Sequence, residues 1–175
     1  FHNPEFVLLE VMTAYEDYRF SMDFVEEFYK FVVKKINSSL QVKYAENVID
    51  FKKPWDRFSM EDIVRSKTGF DFSAIKTPVE AWKKARDLGI PEDKIKTQRS
   101  VGETLSLIFE EKVQSNLIQP TMIYDYPVET SPLAKKNKKD PRFVERFEHF
   151  ILGQEHGNHY SELNDPLDLS ERFIE

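Results

Sequence analysis

The chain has 175 residues, 40% of them hydrophobic and 32% charged, which is enough for one globular domain with its own core and too apolar for a disordered chain. Its net charge of −6 argues against a nucleic-acid-coating module, which would usually be basic. The absence of cysteine excludes a disulfide framework and a cysteine-based zinc site, and no apolar run approaches the ~20 residues of a membrane span. The first residue is Phe1 rather than Met, which predicts a piece of a longer translation product.

Residues Phe6 to Val11 form an apolar run broken by Glu10, which reads as a mostly buried strand with one acid in need of a partner. From Phe20 to Ile36, Phe24, Phe28, Phe31, Val32 and Ile36 recur at helical spacing, with Ser21 as N-cap and the phenylalanines as core. Gln41–Tyr44 and Val48–Phe51 are strand candidates, and Pro54 ends that stretch. Ser59 with Asp62 opens a helix that Gly69 stops. Thr77, Pro78 and Gly89 frame a short helix around Trp82, which reads as core. Ser100 to Leu117 is a longer helix with Leu105, Ile108, Phe109 and Val113 on one side. Thr121–Pro127 is strand-like, and Lys135–Asp140 is a charged surface loop.

Phe143–Leu152 and Gly157–Leu163 flank a glycine turn and predict a hairpin. A two-residue turn at Leu152-Gly153 pairs Phe150 with Glu155 and His149 with His156, so Glu148 and Glu155 share a face. Two acids on one sheet face can hold a metal; spacing alone favours two solvated charges, because acids are usually exposed. On that register Asn158, Tyr160 and Glu162 lie on the opposite face, unless a bulge at Gly157 restores them. His149, His156 and His159 lack a second metal-ligand spacing and read as surface or pocket-edge histidines. Asp165 to Phe173 begins a last helix. The whole reads as α+β: an antiparallel β-sheet flanked by helices.

Three segments carry a family resemblance. They are His2-Asn3-Pro4-Glu5-Phe6 with Leu9-Glu10 and Ala14 to Tyr18; Leu117 to Thr121, Asp125 to Glu129 and Ser131-Pro132-Leu133-Ala134-Lys135; and Glu145-Arg146-Phe147-Glu148 with Gly153, Glu155, Asn158, Tyr160 to Pro166 and Glu171-Arg172-Phe173. In this order the chain resembles the catalytic domain of class II lysyl-tRNA synthetases, from the second half of motif 2 to just before motif 3. The resemblance covers 1–175 as a partial catalytic domain. Motif 1, the first half of motif 2, motif 3 and the anticodon-binding domain have no counterpart in the sequence.

The resemblance implies the class II sheet and the reaction of ATP with lysine to lysyl-adenylate, followed by transfer to tRNA(Lys). It implies a cytoplasmic enzyme, homodimeric when intact, with no membrane association. It implies that His2, Asn3, Glu5, Phe6, Glu148 and Glu155 bind ATP, with Phe6 on the adenine and Glu148 and Glu155 on Mg²⁺. It implies that Glu10, Met12, Asn158, Tyr160 and Glu162 line the lysine pocket, with Glu162 accepting the ε-ammonium. Met12 departs from the tyrosine usual in the family, which implies a looser hold on lysine. The family clamps phosphate with arginines from the segments that have no counterpart here, so the chain alone is expected to be inactive; Arg146 and Arg172 are the only site-adjacent substitutes. A synthetase-like paralogue that lysylates a protein, or a non-catalytic interaction domain, is the alternative.

Overall fold

The structure is a computed structural model that describes residues 4–174. A four-stranded sheet organises it: β3 (Asp56–Ser59), β4 (Thr121–Pro127), β5 (Phe143–Ile151) and β6 (Gln154–Tyr160), in that order. The β4–β5 and β5–β6 pairs are antiparallel, and the short edge strand β3, which the sequence did not announce, runs parallel to β4. The remaining strands, β1 (Gln41–Tyr44) and β2 (Asn47–Asp50), form a separate hairpin.

Helices cover both faces. On one side α2 (Met60–Thr68), α3 (Pro78–Asp87) and α5 (Val101–Lys112) pack on Ile123, Tyr126, Val144 and Phe150. Their ends follow local chemistry. Ser59 caps α2 and Gly69 ends it at φ 73°, while Thr77 and Glu80 make a reciprocal capping box on α3. A four-residue helix, α4 (Glu92–Ile95), and a 3-10 turn at Gln114–Asn116 break up what the sequence suggested as loop and as the end of one long helix. Trp82 is only partly buried and donates its Nε1–H to the Gln98 carbonyl at 3.2 Å.

On the other side α1 (Tyr18–Ile36) and the β1–β2 hairpin pack on Met122, Phe147 and Ile151. Asp17, not Ser21, caps α1: its carboxylate accepts from the amides of Arg19 and Phe20. The buried stripe of α1 is Tyr18, Met22, Val25 and Glu26, with Tyr29 and Val33 partly buried behind it. Phe20, Phe24, Phe28 and Phe31, expected in the core, form the exposed row. The helix carries two apolar stripes, and the one beginning at Tyr18 also offers polar tips to the sheet: Tyr18 Oη donates to Asp125 at 2.9 Å.

The expected strand Phe6–Val11 is absent. The segment has no regular structure, pairs with no strand among the described residues and is exposed, with Phe6 at 77% and Val7 at 99%. An apolar run becomes a strand only beside a partner edge, and none is supplied to it here. Glu10, surrounded by solvent, therefore needs no partner. The last helix, α6 (Pro166–Ile174), starts on the Asp165 carboxylate, which accepts from Leu167 and Asp168.

Candidate active site

The β5–β6 turn sets the site. Leu152 and Gly153 have φ 54° and 73°, both positive, as a type I′ two-residue turn requires. Phe150 pairs with Glu155, as expected from the sequence. His149 pairs not with His156 but with Gly157, leaving His156 as the extra residue of a bulge. That one residue changes everything beyond it. Asn158 now pairs with Glu148 and Tyr160 with Arg146, so both turn to the face of Glu148 and Glu155. Glycine is needed at 157: a Cβ there would lie 2.6 Å from His149 Cε1 and 3.0 Å from His159 Nε2.

A second irregularity works from the other side. The β4–β5 register shifts between Tyr124 and Tyr126, and Asp125 has φ 58°. Tyr124 packs in the α1 core, whereas Tyr126 packs in the α5 core and donates its hydroxyl to Glu148 Oε2 at 2.7 Å. Two breaks in strand alternation thus bring Tyr126 onto the Glu148 carboxylate and place Asn158 beside Glu148 on the same sheet face.

Arg146, two residues before Glu148 on β5, completes the group. Its Nη2 donates to Glu148 Oε1 at 2.5 Å, its Nε to Asn158 Oδ1 at 3.0 Å, and its Nη1 to the Thr130 carbonyl and Ser131 Oγ at 2.9 and 2.8 Å. The guanidinium carbon also lies 4.6 Å from the centre of the Tyr126 ring.

Glu148, Glu155, Arg146 and Tyr126 line a cavity of about 430 Å³ together with Thr130, Glu110 and Gln114. Its size suits a small ligand. Burial raises the Glu148 carboxyl above its usual range, and the Glu155 charge adds to this; the hydrogen bonds from Tyr126 and Arg146 and the Arg146 charge pull the other way. Tyr126 is pushed well above its ordinary range by burial and then by the Glu148 charge. Two acids facing one another and raising the proton affinity of one are a place where a cation would be stabilised.

Each Glu148 oxygen, though already hydrogen-bonded, keeps a second lone pair, and Glu155 is exposed. Mg²⁺ is commonly held by one or two carboxylates with phosphate and water, so this donor set fits it. Among the described residues no group of three or more His, Cys, Asp or Glu could hold a metal ion by itself, so a cation here would need phosphate and water as its further ligands. The histidines lie on the opposite sheet face. His149 is buried, its Nε2 3.0 Å from Tyr29 Oη and its Nδ1 3.2 Å from His159 Nε2. Neither surface nor pocket edge describes His149.

The other expected site residues are scattered. Glu162 follows β6, bridges to Ala134 through the backbone and has an exposed side chain. Phe6, Glu10 and Met12 sit on the exposed segment with Glu5, and Met12 is 86% exposed. His2 and Asn3 lie outside the described residues. Arg172 is not at the cavity. It forks onto Asp168 at 2.9 and 2.8 Å and donates to the Ser131 and Ala134 carbonyls, fastening α6 to the Ser-Pro-Leu-Ala loop. Tyr126, Thr130 and Glu110 were not foreseen: their approach depends on β4 irregularity and α5 packing, which leave no local pattern.

The sequence match gives the class: the chain belongs to the family of class II tRNA synthetases (D, K and N), whose model matches residues 1–175. Within that family its similar relatives are lysine–tRNA ligases. It is 45% identical over 173 residues to the one from Carboxydothermus hydrogenoformans, covering 99% of this chain and 35% of that protein. It is 46% identical over 172 residues to the one from Staphylococcus haemolyticus (98% and 34%) and 47% over 172 residues to the one from Nostoc punctiforme (98% and 30%). The chain thus spans about a third of the length of these relatives. No helix among the described residues is long and apolar enough to cross a membrane.

Proposed function

We propose that this chain is the part of a lysine–tRNA ligase that holds the metal and one wall of the lysine pocket. In the whole protein the lysine carboxylate attacks the ATP α-phosphate to give lysyl-adenylate with release of pyrophosphate, and the lysyl group then passes to tRNA(Lys) with release of AMP, in a cytoplasmic homodimer. The observation that carries this reading is the placement of Glu148, Glu155 and Asn158 on one face of the β5–β6 hairpin, brought there by the bulge at His156.

Attack of a carboxylate on the ATP α-phosphate brings two anions together; Glu148 and Glu155 would hold Mg²⁺, which would supply the positive charge that tolerates the approach. Glu148 is held for that task by Tyr126 and Arg146. Asn158 and Tyr160, beside it on β6, would bind the amino acid, and Glu162 would accept its ε-ammonium; a carboxylate there rejects neutral side chains because its own hydrogen-bonding demand would go unmet. His2, Asn3, Glu5 and Phe6 would contact ATP, with Phe6 on the adenine, and Glu10 and Met12 would close the lysine pocket.

Lysine-dependent ATP–pyrophosphate exchange by the full-length protein tests the reading. Glu148→Ala and Glu155→Ala should each lower the exchange rate by at least about 100-fold, the cost typical of losing a preorganised charge-stabilising element. Near-normal exchange in either variant would show that acid to be a solvated charge.

A further inference from the structure

Arg146 uses four of its five N–H groups, and they reach three different parts of the site. One goes to Glu148, on the metal side. One goes to Asn158, on the amino-acid side. Two go to Thr130 and Ser131, at the head of the Ser-Pro-Leu-Ala loop. The guanidinium is also the only cation lining the cavity among the described residues. Its side chain is 15% exposed; the bonds to Glu148, Thr130 and Ser131 are partly buried, and the one to Asn158 lies at the exposed rim.

We infer that Arg146 is a positioning residue that couples the two halves of the site, so that occupation of the amino-acid side strengthens binding on the metal side and the reverse. The inference rests on the ligase reading above.

Its physical basis is the rigidity of the guanidinium. The three nitrogens lie in one plane with fixed angles, so Nε cannot follow Asn158 without Nη2 moving against Glu148. A ligand that draws the Asn158 carboxamide toward the amino acid therefore reorients the group that hydrogen-bonds Glu148 Oε1. Tyr126 restrains the other Glu148 oxygen and stacks beneath the guanidinium, which limits the response to rotation within that plane. Linkage makes the effect reciprocal: the factor by which lysine tightens Mg²⁺ must equal the factor by which Mg²⁺ tightens lysine. A lysine side chain at 146 would keep one positive charge near Glu148 but could not hold three separate acceptors in one plane.

The test uses the full-length protein and measures the equilibrium Kd for lysine by calorimetry over a range of Mg²⁺ concentrations with a non-hydrolysable ATP analogue, and, beside it, the lysine KM in ATP–pyrophosphate exchange over the same range; the Kd should follow the course given below for the KM. In the wild type the KM for lysine should fall several-fold as Mg²⁺ rises from limiting to saturating. In Arg146→Lys that dependence should be lost, with the lysine KM fixed near its low-Mg²⁺ value. Asn158→Ala, at an exposed position where truncation spares the fold, should abolish the same dependence. The double variant should show no further loss of coupling, since both substitutions cut one connection. Should Arg146→Lys fail to fold, Asn158→Ala alone decides. Unchanged coupling in Asn158→Ala, or a drop in kcat with coupling intact in Arg146→Lys, overturns the inference. Absence of any lysine-dependent exchange in the wild type would instead overturn the ligase reading itself.

Discussion

His149 and His159 show how one face of a sheet can carry the pH sensitivity of a fold while the other carries its chemistry. Burial, with the neighbouring imidazoles His159 and His156, lowers His149 to about 3, and burial lowers His159 to about 4. Both rings are neutral in the folded state at neutral pH, and one can donate to the other while Tyr29 completes the chain. Unfolded, each would titrate near 6.5. Between about pH 6.5 and pH 4 the unfolded chain binds more protons than the folded one, so stability falls as pH is lowered through that window and is fully retained above it. Thermal melts between pH 7 and pH 4 should show this slope, and His149→Phe should flatten it. An unchanged slope in the variant would assign the acid lability to other groups.

At the scale of elements, the bulge at His156 is the feature on which the site depends. Gly157 opposite His149 allows the two strands to close over the imidazole pair; the Cβ of alanine would sit 2.6 Å from His149 Cε1. Gly157→Ala should therefore destabilise the fold by about 1–3 kcal/mol, the range for overpacking a buried contact. It should also loosen Asn158 and Tyr160, because their facing depends on this strand geometry. Differential scanning calorimetry reads the first effect and the lysine KM of the full-length protein the second. A variant with wild-type melting and KM would mean that the hairpin absorbs the methyl group by shifting His149. The α1 helix makes a different point. Its row of Phe20, Phe24, Phe28 and Phe31 faces solvent, with Phe24 and Phe28 stacked at 6.1 Å, although apolar spacing alone puts that row in the core.

Taken as a whole molecule, the chain has two cores on either side of one sheet, and Glu148 and Glu155 hang from the strand pair at one edge. Among the described residues Arg146 is the only cation lining the cavity, and it is already committed to Glu148. Little positive charge remains to receive the charge that develops on a phosphate. Each missing preorganised donor costs about 10²–10³ in rate, so the 175-residue chain alone should give no measurable exchange with ATP, lysine and Mg²⁺. Robust exchange by the purified chain would show that Arg146 leaves Glu148 and serves the phosphate directly.

The sequence alone determined the features that local chemistry dictates. The caps at Ser59 and Thr77, the glycine stop at Gly69, the Leu152-Gly153 turn and the pairing of Phe150 with Glu155 follow from residue type and short-range spacing. The three motif segments placed the chain in its family for the same reason: they are read in order along the chain. Only the tertiary structure decided which of two apolar stripes on α1 is buried, because both have helical period and the sheet selects one. It alone decided that residues 6–11 make no strand, since pairing is a property of the partner edge and not of the run. It also decided that Asn158 faces Glu148 and that Tyr126 and Arg146 hold it. A strand's facing alternates residue by residue, so a single bulge inverts every assignment beyond it, and the energy of packing His149 against Tyr29 and His159, far apart in the chain, is what fixes where that residue goes.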